Sequence, residues 1–255
     1  MRRDSEKIYI YGKHALMEAI SNTPRVVKKV FISEEIRDED LKKILSKNNI
    51  PVSLLKNKEA SRMVGQETAH QGVVAIVDTG ALMVDFDEFV LGIKPEPETM
   101  LVLLDELTDP HNVGAIIRSA AAFGAAGVLI PAHNQAPITG AVVKSSAGMA
   151  FRVPLVSIGN VNYTVDRLKK MDFKVYALEM NGKKELGEEG FDGPALFVVG
   201  NEGKGIRQKT LERCDVALRI PMHPRCESLN ASVSAAAVLY AWSIRHPEVL
   251  KYSKN

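Results

Sequence analysis

Three times after residue 99 an apolar run stops at a short polar turn, and a segment of different character sets out from it. The turns are Asp109-Pro110-His111-Asn112-Val113-Gly114, Gly200-Asn201-Glu202-Gly203-Lys204-Gly205, and the stretch from Ile220-Pro221-Met222 to Ser228-Leu229-Asn230-Ala231-Ser232. The third constrains the chain most. A strand that ends in Pro, followed by a Ser/Asn-rich entry to a helix of small residues, places hydroxyls and backbone amides where a polar ligand can be held.

Around these turns the periodicity predicts strands at Leu101 to Leu104, Val128 to Ile130, Val153 to Val156, Val175 to Leu178, Leu196 to Val199 and Val216 to Ile220. Helical stretches fill the intervals, which is the pattern of an α/β fold with a mostly parallel sheet covered on both faces. Ligands in such sheets bind at the carboxyl ends of the strands, and all three turns fall there. They are therefore able to converge on one site.

Upstream the pattern alternates as well. Helices are expected over Lys13 to Ile20, Asp38 to Lys47 and Lys58 to Val64, with strands over Val27 to Ile32, Val52 to Leu55 and Gly72 to Val77. This reads as a small α/β domain over residues 1–78. Residues 79–98 carry one basic against five acidic residues and end in Lys94-Pro95-Glu96-Pro97-Glu98, where alternating prolines exclude helix. That stretch is expected to be a linker, and residues 99–255 to be the second domain.

Bulk properties exclude several classes. The net charge is +2, so nucleic-acid binding is not legible from total charge and needs a clustered face. In the small domain Lys13, Arg25, Lys28, Lys29, Lys42, Lys43 and Arg62 either form such a face or are ordinary solvated lysines and arginines. Only Cys214 and Cys226 are present, with no CxxC pair and no His cluster at ligand spacing, which argues against disulfides and a metal site. No run of 18 apolar residues occurs and the N-terminus lacks an apolar signal region, so a cytoplasmic protein without a membrane span is expected.

Several residues stand out, each with two readings. The loop from Gly200 runs GxxGxG, which fits neither the GxGxxG dinucleotide fingerprint nor GxxxxGK[ST]; it is a flexible turn or a bare-backbone seat for a flat cofactor. Arg118 is the only charge between Val113 and Pro131. It snorkels outward, pairs with Glu202 or Asp105, or does chemistry. Asn112 stands where a helix cap is expected. The segment Leu229 to Trp242 is uncharged around its whole circumference, so it is either buried in a monomer or covered by a partner.

In order and spacing the three turn segments resemble the motifs of the TrmH/SpoU family of RNA ribose 2′-O-methyltransferases, in the SPOUT superfamily, over residues 99–255. Tyr11-Gly12-Lys13-His14-Ala15 and His70-Gln71-Gly72-Val73-Val74-Ala75 resemble the RNA-binding domain that precedes the catalytic domain in many members. The third motif departs slightly, with Ala231 and Ser234 where Val and Ala are frequent. The resemblance implies a deep trefoil knot in the second domain and S-adenosylmethionine (SAM) as cofactor, held by Gly200, Asn201, Gly203, Ile220, Met222 and Leu229. It implies a homodimer whose RNA site draws on both subunits, with no metal. Arg118 aligns with the family's catalytic arginine and Asn112 with its partner, while Glu202, Ser228 and Asn230 order the loop and the target ribose, Glu202 being a reserve base.

The implied reaction moves a sulfonium methyl group onto a ribose 2′-oxygen, which calls for in-line positioning and stabilisation of growing negative charge. An arginine stays protonated, so charge stabilisation suits Arg118 better than proton abstraction. The small domain looks most like that of the branch acting on a guanosine in 23S ribosomal RNA. A tRNA guanosine enzyme is the alternative, and a non-catalytic RNA-binding protein would be expected to lack Arg118 or the Ser228-Leu229-Asn230 entry. A nucleotide-binding oxidoreductase is disfavoured by the missing fingerprint.

Overall fold

The computed structural model describes residues 7–65 and 70–251. The chain opens with β1 (Lys7–Tyr11), α1 (Lys13–Asn22), β2 (Val27–Ile32), α2 (Glu39–Lys47), β3 (Val52–Leu54), α3 (Asn57–Val64) and β4 (Val73–Asp78). These strands form a four-stranded sheet in the order β1-β4-β2-β3, antiparallel except for β2 with β3. The expected elements are present, with one addition. β1 was not expected, although Ile8 and Ile10 alternate with outward-facing residues and are buried against the core.

The acidic stretch 79–98 corrects the sequence reading. It contains α4 (Thr79–Leu82), β5 (Met83–Asp85) and α5 (Phe86–Gly92), and only the residues after it lie outside helix and strand before the next element. One of the acids that gave it a linker's composition, Asp85, caps a helix, as does Asp78 just before the stretch. The Asp78 carboxylate accepts from Ala81 N at 3.3 Å and Asp85 from Asp87 N at 2.9 Å, satisfying amides that a helix start leaves open. Phe86 and Val90, one helical turn apart, are buried. β5 pairs in parallel with a strand of the second sheet, so this segment is the edge of that sheet.

The remaining elements are β6 (Met100–Asp105), α6 (Pro110–Ala122), β7 (Gly127–Pro131), α7 (Gly140–Ser145), β8 (Leu155–Ile158), α8 (Val161–Lys169), β9 (Lys174–Leu178), β10 (Lys184–Glu185), β11 (Ala195–Gly200), α9 (Gln208–Leu211), β12 (Val216–Arg219) and α10 (Ala231–Ser243). The strand order is β10-β12-β9-β11-β6-β7-β8-β5, every pair parallel. β8 starts two residues later than expected, after Pro154, whose ring nitrogen has no hydrogen to give a ladder.

β6 lies at the centre of this sheet with no exposed residue. Met100, Val102 and Leu104 point into one core and Leu101 and Leu103 into the other. The first core is closed by α6 and α10, the second by α5 and α8. α10 contributes Ala235, Val238, Leu239 and Trp242, the last wholly buried. Truncating Trp242 to Ala empties the largest side-chain volume in that layer. We expect the Trp242→Ala variant to lose about 3–5 kcal/mol, read from the shift in chemical denaturation midpoint.

Candidate active site

The carboxyl ends of β9, β11 and β12 enclose a cleft of about 450 Å³. Leu178, Glu179 and Met180 close it from β9, the turn Gly200 to Gly205 from β11, Ile220 and Met222 from the segment after β12, and Glu227, Ser228, Leu229, Ala231 and Ser234 from the entry to α10. Its size is that of a small-molecule site, and its lining is about evenly apolar and polar.

The floor of the cleft is a turn held by one side chain. Asn201 and Gly205 exchange backbone hydrogen bonds at 2.9–3.0 Å, and Asn201 Oδ1 accepts from both Gly203 N and Lys204 N at 3.0 Å. Asn201 Nδ2 donates to Glu106 O at 2.7 Å, tying the turn to the end of β6. Gly200 is required here, because a side chain would run into the backbone of Gly205 and Ile206. Arg207 completes the anchorage. Its backbone N and Nε donate to the fully buried Asp105 carboxylate at 3.1 and 2.8 Å.

Above this floor the three turns meet at Glu202. Its carboxylate accepts from Asn112 Nδ2 at 3.1 Å, Asp109 N at 3.2 Å and Thr108 N at 3.3 Å. Asn112 Oδ1 in turn accepts from Asn230 Nδ2 at 2.9 Å. Asn112 is free to do so because it is not the helix cap: Asp109 caps α6, accepting from His111 N at 2.8 Å. Asn230 caps α10, accepting from Ser232 N at 2.9 Å. Partial burial raises the Glu202 pKa, but the hydrogen bonds from Asn112, Thr108 and Asp109 outweigh it and hold the carboxyl below its usual range. An anion stabilised in this way is a weak base.

Of the expected cofactor residues, Gly200, Asn201, Gly203, Ile220, Met222 and Leu229 all line the one cleft, together with Glu202 and Ser228. Asn112 and Asn230 join it through Glu202. Arg118 does not. It is exposed on α6, does not line the cleft, and among the described residues makes no hydrogen bond or ion pair. The ion pairs weighed for it are absent: Asp105 is held by Arg207 and Glu202 by Asn112. Missed by sequence reasoning were Glu179 and Met180 on the wall, Lys204, and the Asp105–Arg207 anchor. The rule that ligands lie at strand carboxyl ends would have pointed to Glu179 and Met180, directly after β9.

The SpoU rRNA Methylase family model matches residues 99–240, and the model for RNA 2′-O ribose methyltransferase substrate binding matches residues 9–80. The chain belongs to the SpoU rRNA methylase family. Among its SpoU relatives, the 23S rRNA (guanosine-2′-O-)-methyltransferase RlmB of Pseudomonas putida is 34% identical over 91% of this chain and 94% of its own length. A Staphylococcus haemolyticus protein named as a TrmH family tRNA/rRNA methyltransferase is 34% identical over 92% and 94%. Among solved structures, the SpoU methyltransferase AviRb from Streptomyces viridochromogenes, in complex with the cofactor AdoMet, superposes with a TM-score of 0.81 at 24% identity. It covers 94% of this chain and 91% of its own.

The carboxylate bridge makes a pH-dependent prediction. The folded-state pKa of Glu202 lies below its unfolded value, so the stability it contributes is present above the ordinary carboxylate range and is lost as pH falls through the folded value. Asn112→Ala should move the Glu202 midpoint up, seen by NMR titration. The exposure of Glu202 limits the cost at neutral pH to about 1 kcal/mol, and the cost should shrink as pH falls through the folded-state value.

Proposed function

We propose that this chain transfers the methyl group of SAM to the ribose 2′-oxygen of a nucleotide in structured RNA, a guanosine of 23S ribosomal RNA. The observation that carries this is the convergence of three separate turns on one cleft, with Glu202, Asn112 and Asn230 in a single hydrogen-bonded chain. The two closely similar relatives span the substrate-binding domain as well as the catalytic one. That coverage favours a substrate read by both domains.

The cleft suits SAM. Bare backbone at Gly200 and Gly203 accepts a flat ring, Ile220 and Leu229 supply apolar walls, and the carboxylates of Glu179, Glu202 and Glu227 complement a positively charged sulfonium and amino group. Gly200, Asn201, Gly203, Ile220, Met222 and Leu229 would hold it. When bound, the cofactor supplies an already electrophilic methyl carbon. The work left to the protein is to orient the ribose hydroxyl and to stabilise the charge that grows on its oxygen. Ser228, with Asn230 behind it, lies at the cleft mouth for the first task. Arg118 performs the second, with the proton passing to phosphate or water, since its planar fork contacts phosphate and alkoxide together.

Arg118 reaches that place from a second copy. On α6 the exposed residues His111, Arg118 and Ala122 repeat at helical spacing, and on the adjoining α10 Val233 and Tyr240, with Ile244 at its C-cap, are each more than half exposed at the same spacing. An apolar stripe of this kind beside an unpaired arginine fits a homodimer in which each subunit lends its Arg118 to the other's cleft. The trefoil knot belongs to the same reading, as does a cytoplasmic location with ribosomal RNA. Among the described residues no helix is long and apolar enough to cross a membrane.

Three variants test this. Arg118→Ala should abolish single-turnover methyl transfer while SAM binding and melting temperature stay near those of the parent, and Arg118→Lys should restore little. Val233→Glu combined with Ile244→Glu should give a monomer by sedimentation that binds SAM and transfers no methyl. A fully active Arg118→Ala enzyme, or an active monomer, would refute the assignment.

A further inference from the structure

The two sheets of this chain meet at a seam. On one side are β1 and α1; on the other are α7 and the 3-10 turn Met149–Phe151. Glu18, on α1, is buried and forms a forked pair with Arg152: Nε donates to Oε2 at 2.6 Å and Nη2 to Oε1 at 3.0 Å. Asn22 Nδ2 gives the same carboxylate a further hydrogen bond at 3.2 Å. The Arg152 hydrogen bond lowers the Glu18 pKa and prevails over burial, so the pair is ionic at neutral pH.

The packing around the pair is close. Gly148 has φ +79°, and a Cβ there would come within 2.8 Å of the Glu18 Cβ and Cγ. At the other end of the seam a Cβ on Gly140 would run into the backbone oxygen of Tyr9, and Lys144 Nζ lies 5.1 Å from the centroid of the Tyr11 ring. A single apolar cluster runs through from Ile10, Leu16 and Ala19 to Val142, Val143 and Phe151. On its far side α7 packs on α6, with Ser145 Oγ donating to Pro110 O at 3.4 Å. The substrate-binding domain is thus connected through packed side chains to the helix that carries Asn112 and Arg118.

We infer that Glu18 and Arg152 are positioning residues: their forked pair latches the substrate-binding domain to its own catalytic domain at one angle and so fixes where a bound RNA presents its target ribose. The inference rests on the methyltransferase reading above. A bidentate guanidinium–carboxylate pair has one preferred mutual orientation, which a contact between smooth apolar surfaces lacks. Position matters to the reaction because a displacement of about 1 Å of a reacting group costs on the order of 100-fold in rate. Neither residue lines the cleft, so cofactor binding is independent of the latch.

Glu18→Gln, which keeps the volume, Arg152→Ala, and the double variant form the test. Each is measured for amide hydrogen exchange at α1 and residues 140–152, for SAM affinity, and for single-turnover methylation of saturating, in-vitro-transcribed 23S ribosomal RNA. Seam exchange is expected to rise at least tenfold and the methylation rate to fall at least tenfold in Arg152→Ala, with less change in Glu18→Gln. SAM affinity should be unchanged, and the double variant no worse than Arg152→Ala, since both changes remove one interaction. Unaltered seam exchange or unaltered rate in the Arg152→Ala variant overturns the latch, as does a rate loss matched by lost SAM affinity. If the parent protein itself methylates no RNA, the functional reading fails, while the exchange measurement still decides whether the pair holds the seam.

Discussion

The carboxylate of Glu202 is the junction on which the candidate site depends. It comes from the turn after β11, yet its hydrogen bonds go to the start of α6, and through Asn112 to the start of α10. Two of its donors are backbone amides of Thr108 and Asp109, which only a substitution to proline there removes. The result is that three loops, each on a different strand, cannot shift independently. A site that must place a hydroxyl in line with a methyl group needs that fixity more than it needs a strong base. The depressed pKa of Glu202 agrees with a structural anion rather than a proton acceptor.

That junction is possible only because the sheet beneath it is rigid. β6 is enclosed on both faces, and its last residue, Asp105, is buried with its charge matched by Arg207. A buried carboxylate left unpaired would be strongly destabilising. Asp105 therefore fixes the exit of β6 and the far end of the glycine turn at once. The same economy appears at the sheet's edge, where Asp78 and Asp85 spend their charge on helix starts and hold α4 and α5 against the core.

Much of this was legible in the sequence. The parallel α/β architecture follows from apolar runs bounded by turn residues, because a strand buried on both faces has no room for polar side chains. The turns at the strand ends pointed to one site, because ligands gather there, while Gly200, Ile220 and Leu229 were singled out by the resemblance to relatives. The acidic segment misled, since composition does not distinguish a solvated linker from two capped helices; Phe86 and Val90 at helical spacing were the available signal. β1 escaped notice because five residues of alternation are too few to stand out beside a charged terminus.

The sequence by itself determined most of the elements and the turns that supply the candidate site residues, because these depend on local periodicity and on which atoms a side chain brings. Tertiary structure decided which of them meet. Glu202 finds Asn112 across 90 positions of chain, Arg207 takes the carboxylate that Arg118 was free to claim, and Arg152 reaches Glu18 over 134 positions. Such pairings are set by strand order and by how much room each turn leaves. No pattern in the order of residues records them, so only the folded chain shows that Arg118 stands apart from the cleft.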